Sequence, residues 1–153
     1  MKKLLLILLL PTALLSQTFY EIKMINSLDD FKKVMIENQY EFDEVDKDGS
    51  YLYGYGLVKD EINGNKSEKW GSFNKDGSWY IQFSKTENIL YNYGDYDKIV
   101  RDIKSDCSYV NIENELYVSY RCEESEFDGK IGFMISEGNG YVSYFPKNHT
   151  YKE

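Results

Sequence analysis

Apolar residues recur at helical spacing in two stretches of the chain. They are Phe31, Val34 and Met35 in the first stretch, and Tyr96, Ile99, Val100 and Ile103 in the second. Residues three and four apart share one face of an α-helix. Ser27, followed by Asp29 and Asp30, is typical of a helix start, because a serine hydroxyl and acidic side chains stabilise the free N–H groups there. The pattern predicts amphipathic helices over 28–39 and about 95–105.

Most of the remaining chain alternates apolar and polar residues in short runs separated by turn residues. Alternation with a period of two is typical of β-strands. The runs cover 19–24, 51–58, 69–73, 78–84, 108–112, 116–122, 130–136 and 140–145. Asp76-Gly77 lies between two of these runs and is a hairpin signal, because Asp-Gly readily adopts the tight turns that join antiparallel strands. We therefore expect an α+β fold.

The order of a helix followed by strands occurs twice, over about 28–83 and 93–145. Similar residues recur at offsets of 61 to 65: Asp30–Glu37 over Asp95–Asp102, Lys69-Trp70-Gly71 over Lys130-Ile131-Gly132, and Phe83 over Phe145. One helix with three strands cannot bury its apolar face alone. We therefore expect a tandem helix-plus-three-strand repeat that forms one antiparallel sheet, with two helices packed on one face. The alternative is two similar stretches produced by shared patterning.

Two helices on one face would leave the other face of the sheet uncovered. Alternation within the strands, together with the match of Phe83 to Phe145, assigns five residues to that uncovered face: Tyr80, Gln82, Tyr117, Arg121 and Tyr144. Tyrosine and arginine are enriched in recognition surfaces, so these residues form the candidate binding face. The alternative is that exposed tyrosine simply suits β-strands. In architecture alone, without a shared residue motif, the plan resembles tandem helix-plus-sheet modules such as the secreted β-lactamase inhibitor proteins.

The first sixteen residues have the plan of a secretory signal peptide. Lys2 and Lys3 precede an apolar run, and small residues such as Ala13 and Ser16 lie near the predicted cleavage point. The apolar stretch is about a dozen residues long, whereas a membrane span needs roughly 20. A membrane anchor and a buried core helix are the alternatives. We predict a signal peptide over 1–16, export to the periplasm or the exterior, and a single mature domain over 17–153.

The chain is acidic, with a formal net charge of −8 from 18 basic and 26 acidic residues. Removal of residues 1–16 takes away two lysines, which leaves 16 basic residues and a charge of −10. Nucleic acids and anionic membrane surfaces attract basic patches. The charge therefore argues against a nucleic-acid partner. No later apolar segment has the length to insert the mature chain stably in a membrane.

Two cysteines, Cys107 and Cys122, flank a segment with the pattern of a β-hairpin that turns near Asn114-Glu115. A two-residue turn there would place the cysteines opposite each other, within bridging distance. Cysteine pairs in exported proteins are expected to join, so we predict a disulfide. A metal site or a catalytic thiol is the alternative, but two cysteines and the distant His149 provide too few soft ligands for zinc.

The sequence carries no recognisable catalytic motif. The Asp46–Gly49 stretch fails as a calcium loop because Tyr55 stands where the loop needs a glutamate. Neither a phosphate-binding glycine loop nor a serine-hydrolase or metalloprotease motif occurs. We therefore predict no catalytic residues, no metal and no cofactor.

These observations favour an exported, non-catalytic binding or accessory protein that engages a protein or glycan partner through the candidate binding face. Two other functions stay open. One is a small hydrolase that cleaves polysaccharide with two carboxylates, which would need a cleft holding two facing acids. The other is a structural, self-associating surface protein, which would pair its sheet edges.

Overall fold

Three helices and eight strands make up the computed structural model over the residues that it describes, 18–84, 95–123 and 128–149. The helices are α1 (Phe19–Lys23), α2 (Leu28–Glu37) and α3 (Asp95–Asp106). The strands are β1 (Tyr40–Val45), β2 (Tyr51–Tyr55), β3 (Lys69–Phe73), β4 (Trp79–Ser84), β5 (Ser108–Glu113), β6 (Tyr117–Arg121), β7 (Gly129–Ser136) and β8 (Asn139–Pro146). They form one antiparallel sheet, so the fold is α+β. The predicted signal peptide lies outside the described residues.

The two predicted amphipathic helices are present as α2 and α3. The Ser27 hydroxyl accepts a hydrogen bond from Asp30 N at 3.2 Å and donates one to the Asp30 carboxylate at 2.7 Å, which caps α2. Phe31 and Met35 of α2 are fully buried, as is Ile103 of α3. The apolar stripes therefore provide core residues, as their spacing predicts.

The first element of the described chain is a helix, so the strand predicted over 19–24 is wrong. Thr18 and Glu21 form a capping box: Thr18 N donates to the Glu21 carboxylate at 2.8 Å, and Glu21 N donates to the Thr18 hydroxyl at 3.3 Å. Phe19 and Ile22, three residues apart, are the buried positions. An alternating pattern over only six residues is compatible with a strand or with a short helix. Here the capping box of Thr18 and Glu21 favours the helix.

The strand order is β1-β2-β3-β4-β8-β7-β6-β5, so each half of the chain contributes four neighbouring strands and the halves meet where β4 pairs with β8. The predicted unit of one helix and three strands is not confirmed, because each half has four strands; in the first half, β1 was not predicted. That strand exposes Glu41 and Glu44 at the edge of the sheet, and a bulge between Phe42 and Val45 interrupts its pairing. Acidic residues and a bulge hide the alternation that marks a half-buried strand.

The strand register defines the two faces of the sheet. One row across the sheet contains Tyr53, Gly71, Ile81, Val142, Phe133 and Val118. The neighbouring row, whose side chains point the opposite way, contains Leu52, Ser72, Tyr80, Ser143, Gly132 and Ser119. We name the face with Ile81 and Val142 the core face, because both side chains are fully buried. The face with Tyr80 and Ser143 is named the second face.

Glycine at two positions of the core face allows close approach of the helices. A Cβ at Gly71 would lie 2.7 Å from Met35 Sδ and 3.3 Å from Phe31 Cζ of α2. A Cβ at Gly140 would overlap the Tyr96 ring of α3. Each helix thus places a large side chain over a strand position that is occupied by glycine and therefore has no side chain of its own.

Cys107 and Cys122 form a disulfide, with Cα atoms 4.3 Å apart, which confirms the predicted pairing. The hairpin between them differs from the predicted one. Glu113 pairs with Tyr117, so the loop has three residues rather than two. A bulge within residues 109–111 then shifts the register by one residue, and this shift brings the cysteines opposite each other.

Replacing both Cys107 and Cys122 with alanine should lower the free energy of unfolding by about 3 kcal/mol, because the disulfide restricts the unfolded chain. Chemical denaturation of the wild type and the variant measures the difference. Wild-type protein unfolded in the presence of a thiol reductant is the control and should match the variant. Equal denaturation midpoints with and without the disulfide would contradict this role.

Gly71→Ala should lower the free energy of unfolding by about 1–3 kcal/mol, because the added methyl group meets Met35 Sδ in a packed core. Thermal or chemical denaturation measures the loss. Combining Gly71→Ala with Met35→Ala removes the collision, so the double variant should lose less than the sum of the single losses. Strictly additive losses would show that the two positions do not compete for space.

Candidate functional site

The register places four of the five predicted binding-face residues on the second face. Tyr80 and Gln82 alternate with core residues along β4, and Tyr117 and Arg121 lie two residues before and after Ser119 on β6. Arg121 is exposed at the far end of its strand, about 13 Å from Tyr117 at 3.3 Å per residue. The second face therefore brings together Tyr80, Gln82 and Tyr117, with Arg121 at a distance.

The fifth residue, Tyr144, lies on the core face, so its assignment to the uncovered face is wrong. It pairs with Trp79, and the two rings stack with centroids 5.9 Å apart and planes at 23°. The error comes from the offset of 62 that matched Phe83 to Phe145. Core residues have odd numbers in β4 and even numbers in β8, so only an odd offset preserves the face.

Tyr141 occupies the place on the second face that the prediction gave to Tyr144. It pairs with Gln82, and its ring centroid lies 6.2 Å from that of Tyr80 with planes at 59°. We name Tyr80, Tyr117 and Tyr141 the tyrosine cluster. Residues 141–145 carry aromatic side chains on both faces, so their alternation alone could not select Tyr141.

Small residues in the middle of the second face let the large rings lie on the sheet. Ser119 and Ser143 are 0% and 4% exposed, and Gly132 lies between them. Tyr117 reaches across this row to Phe145, with ring centroids 5.2 Å apart and planes at 75°. A Cβ on Gly132 would lie 2.9 Å from the Phe145 ring and 3.2 Å from Tyr117 Cβ. The absence of a side chain at Gly132 thus allows the rings of Tyr117 and Phe145 to pack closely on the sheet.

Partial burial disfavours ionisation of the hydroxyls of Tyr80 and Tyr117. Burial raises the pKa of Tyr80, with smaller contributions from Tyr141, Tyr117 and Asp46. Burial likewise raises the pKa of Tyr117; Ser143 acts in the opposite direction, and Tyr141 adds a smaller upward contribution. Like other tyrosine hydroxyls, both are uncharged at neutral pH and can donate and accept hydrogen bonds.

The single histidine of the chain lies beside this face, which the sequence did not predict. His149 Nδ1 is 2.7 Å from the Asp76 carboxylate, and its ring centroid is 5.5 Å from that of Phe145. Burial acts to raise the pKa of Asp76, but hydrogen bonds from Ser78 and then from His149 outweigh it and lower that pKa. The end of the described chain therefore folds back against the β3–β4 turn.

A cleft of about 280 Å³ lies beside the disulfide, lined by Lys23, Asp106, Ser108, Cys122 and Glu123. The two carboxylates of this cleft, Asp106 and Glu123, are both exposed. The general acid of a glycosidase needs a raised pKa, which burial in an apolar pocket provides. The cleft therefore gives little support to the hydrolase alternative.

In the parts of the chain that the structure describes, no group of three or more His, Cys, Asp or Glu side chains could hold a metal ion. The helices of those parts lack the length and apolar character that a membrane-spanning helix requires.

The chain matches no protein-family model, no curated protein and no solved structure. The architectural resemblance to the secreted β-lactamase inhibitor proteins therefore carries no functional argument. The function is inferred from the residues of the second face.

Raising the pH above about 10 should destabilise the fold, in part through Tyr80 and Tyr117. Their pKa values are raised in the folded state, so their contribution to stability is complete below the ordinary tyrosine pKa and is lost as the pH rises through the raised values. Thermal melts across this range measure the slope. Tyr80→Phe with Tyr117→Phe should flatten it, whereas Tyr20→Phe, at a position 70% exposed, should not. Equal slopes in all variants would contradict this linkage.

Proposed function

We propose that the chain is an exported, non-catalytic binding protein that engages a protein partner through the second face. The tyrosine cluster carries this proposal. Its three half-buried rings combine a large contact area with polar hydroxyls, and tyrosine side chains lose little conformational freedom on binding because they have only two rotatable bonds. These properties make tyrosine frequent at the centre of protein interfaces.

The ring geometry favours a protein over a glycan. The planes of Tyr80 and Tyr141 differ by 59°, and Tyr117 meets Phe145 edge to face at 75°. Rings at such angles do not form the flat platform on which sugar rings stack. Side chains of a protein loop can instead pack against rings that present several orientations. A glycan partner is the second choice for this face.

Export is supported by two features of the chain. Residues 1–16 have the pattern of a signal peptide. The Cys107–Cys122 disulfide is compatible with an extracellular or periplasmic location, where such bonds persist. The proposed site of action is therefore outside the cytoplasm.

The proposal includes a duplication in which each unit has one helix and four strands. Both helices cover the core face in this arrangement, so the second face stays available to a partner. Equivalent helix positions support it: Phe31 of α2 corresponds to Tyr96 of α3 at an offset of 65, and each lies over a core-face glycine. The residue matches proposed for the strands do not support it. Lys69 lies on the core face whereas Lys130 lies on the second face.

Self-association is the alternative function that a specific observation favours. Ile112, Leu116 and Ile135 are 57%, 62% and 61% exposed. The register places Ile112 and Ile135 on the core-face side of the sheet, and exposed apolar residues on one surface often mark contact sites between proteins. A dimer at micromolar protein concentration in sedimentation analysis would support this alternative.

Replacing Tyr80 and Tyr117 with alanine should weaken partner capture roughly 30-fold or more, since central interface aromatics commonly contribute 2 kcal/mol or more. The measurement is a pull-down from the secretome and envelope of the host, followed by an affinity titration. Alanine at Tyr20 and Tyr109, which are 70% and 59% exposed elsewhere on the molecule, is the matched control. Circular dichroism checks that every variant is folded. Capture that is unchanged in the folded double variant would reject the second face as the binding surface.

A further inference from the structure

The loop between β2 and β3 presents an apolar side chain to solvent. We name residues 58–66 the projecting loop. Ile62 at its tip is 92% exposed, whereas the next most exposed large apolar side chain within 18–84, 95–123 and 128–149 is Tyr20 at 70%. A Cβ built on Gly64 would meet no atom within 4 Å, so the tip stands clear of its surroundings. The Ile62 side chain therefore contributes almost nothing to the core.

Hydrogen bonds hold the tip of the projecting loop in one conformation. Asp60 Oδ1 accepts from the backbone N–H groups of Ile62 and Asn63, each at 3.0 Å, and Asp60 Oδ2 accepts from Asn63 Nδ2 at 2.9 Å. Asn65 Oδ1 accepts from Asp60 N at 3.1 Å, and Asn65 Nδ2 donates to the Asp43 carboxylate of β1. The side chains of the loop thus close its tip and tie it to the sheet.

The base of the projecting loop is also fixed. Val58 and Lys66 exchange two backbone hydrogen bonds of 2.8 and 2.9 Å. A Cβ on Gly54, which lies on the second face, would be 2.8 Å from Ser67 Oγ and 3.0 Å from Leu57 Cδ1. The residues that flank the loop therefore pack against β2 and anchor the loop to the sheet.

The hydrogen bonds of the tip do not require isoleucine at position 62. They use only the backbone N–H of this residue, which every residue except proline has. Asp60, Asn63 and Gly64 around it are typical turn residues, whereas an apolar side chain gains nothing from a turn that leaves it in water. Isoleucine at this position gains burial only in contact with another molecule.

We infer that the projecting loop inserts Ile62 into an apolar pocket on a protein partner. Because the loop is ordered before binding, the insertion costs little conformational freedom. A protein pocket fits better than an anionic membrane, since Glu61 is exposed beside Ile62 and the chain has a net charge of −8. The inference goes beyond the proposed function, because no residue of the tyrosine cluster takes part in it.

The order of the loop in the free protein is tested by ¹⁵N relaxation. The amides of Ile62 and Asn63 should have order parameters of about 0.8 or more, as in a rigid backbone, and Asp60→Ala should lower them below about 0.6. Asp60→Asn keeps an oxygen for both N–H groups and should preserve the order. Order parameters below about 0.6 in the wild type would overturn the inference.

A photoreactive residue tests the pocket. p-Benzoylphenylalanine replaces Glu61, so that Ile62 stays intact, and the protein is irradiated with the secretome and envelope of the host. One protein should be crosslinked, at a residue bordering a concave apolar site, and Ile62→Asp should abolish the adduct. Ile36→Asp on α2, where the side chain is 63% exposed, is the matched control and should preserve it. An adduct that survives Ile62→Asp, or no protein adduct, would overturn the inference.

Affinity titration with the crosslinked protein measures the contribution of the side chain. Ile62→Ala should weaken binding about 10- to 100-fold, as expected for an aliphatic side chain that is buried on binding. Ile36→Ala should leave the affinity unchanged. Wild-type affinity in Ile62→Ala would overturn the inference. Sedimentation with phosphatidylglycerol vesicles that depends on Ile62 would also overturn it and would identify a membrane contact.

Partner capture distinguishes the inference from the proposed function. Capture that is lost with Ile62→Asp but survives alanine at Tyr80 and Tyr117 would support the projecting loop and remove the second face as the binding surface. Capture that is lost with the tyrosine substitutions but survives Ile62→Asp would keep the proposed function and overturn the inference. Loss in both variants, with the Ile36→Asp control unchanged, would support both.

Discussion

The pairing of β4 with β8 is the interaction on which the rest of the structure depends. It joins two four-stranded halves into one sheet and places Ile81 opposite Val142, both fully buried. Burial of an apolar side chain of this size contributes about 1.5–3 kcal/mol, and a slip of β8 by one residue would turn Val142 and the other core residues of β8 to the second face, at a large cost in stability. The same register that buries Val142 presents Tyr141 on the opposite face, next to Tyr80.

Both faces of the sheet use small residues to seat large side chains. On the core face, Gly71 admits Met35 from α2. On the second face, Gly132 admits Tyr117 and the ring of Phe145. The result is a closed core on one side and, on the other, aromatic groups that are already held by their neighbours. Groups fixed in this way lose little conformational freedom when a partner binds, which favours affinity.

Elements that depend on local pattern could be predicted from the sequence, and those that depend on long-range pairing could not. The apolar stripes were sufficient for α2 and α3, and the only two cysteines were sufficient for the disulfide. Strand β1 escaped prediction because its edge position and bulge remove the alternation. Tyr80 and Tyr117 were assigned to the correct face, but the choice between Tyr141 and Tyr144 depends on the register with β4, which similarity between residues does not encode.

The position of the aromatic side chains of β8 relative to β4 is therefore the feature to measure. Nuclear Overhauser contacts between aromatic ring protons report it directly, with assignments confirmed by single Tyr→Phe substitutions. We expect contacts between Tyr80 and Tyr141 and between Trp79 and Tyr144, as the centroid distances of 6.2 Å and 5.9 Å imply. A contact between the rings of Tyr80 and Tyr144, with none between Tyr80 and Tyr141, would contradict the pairing and with it the second face.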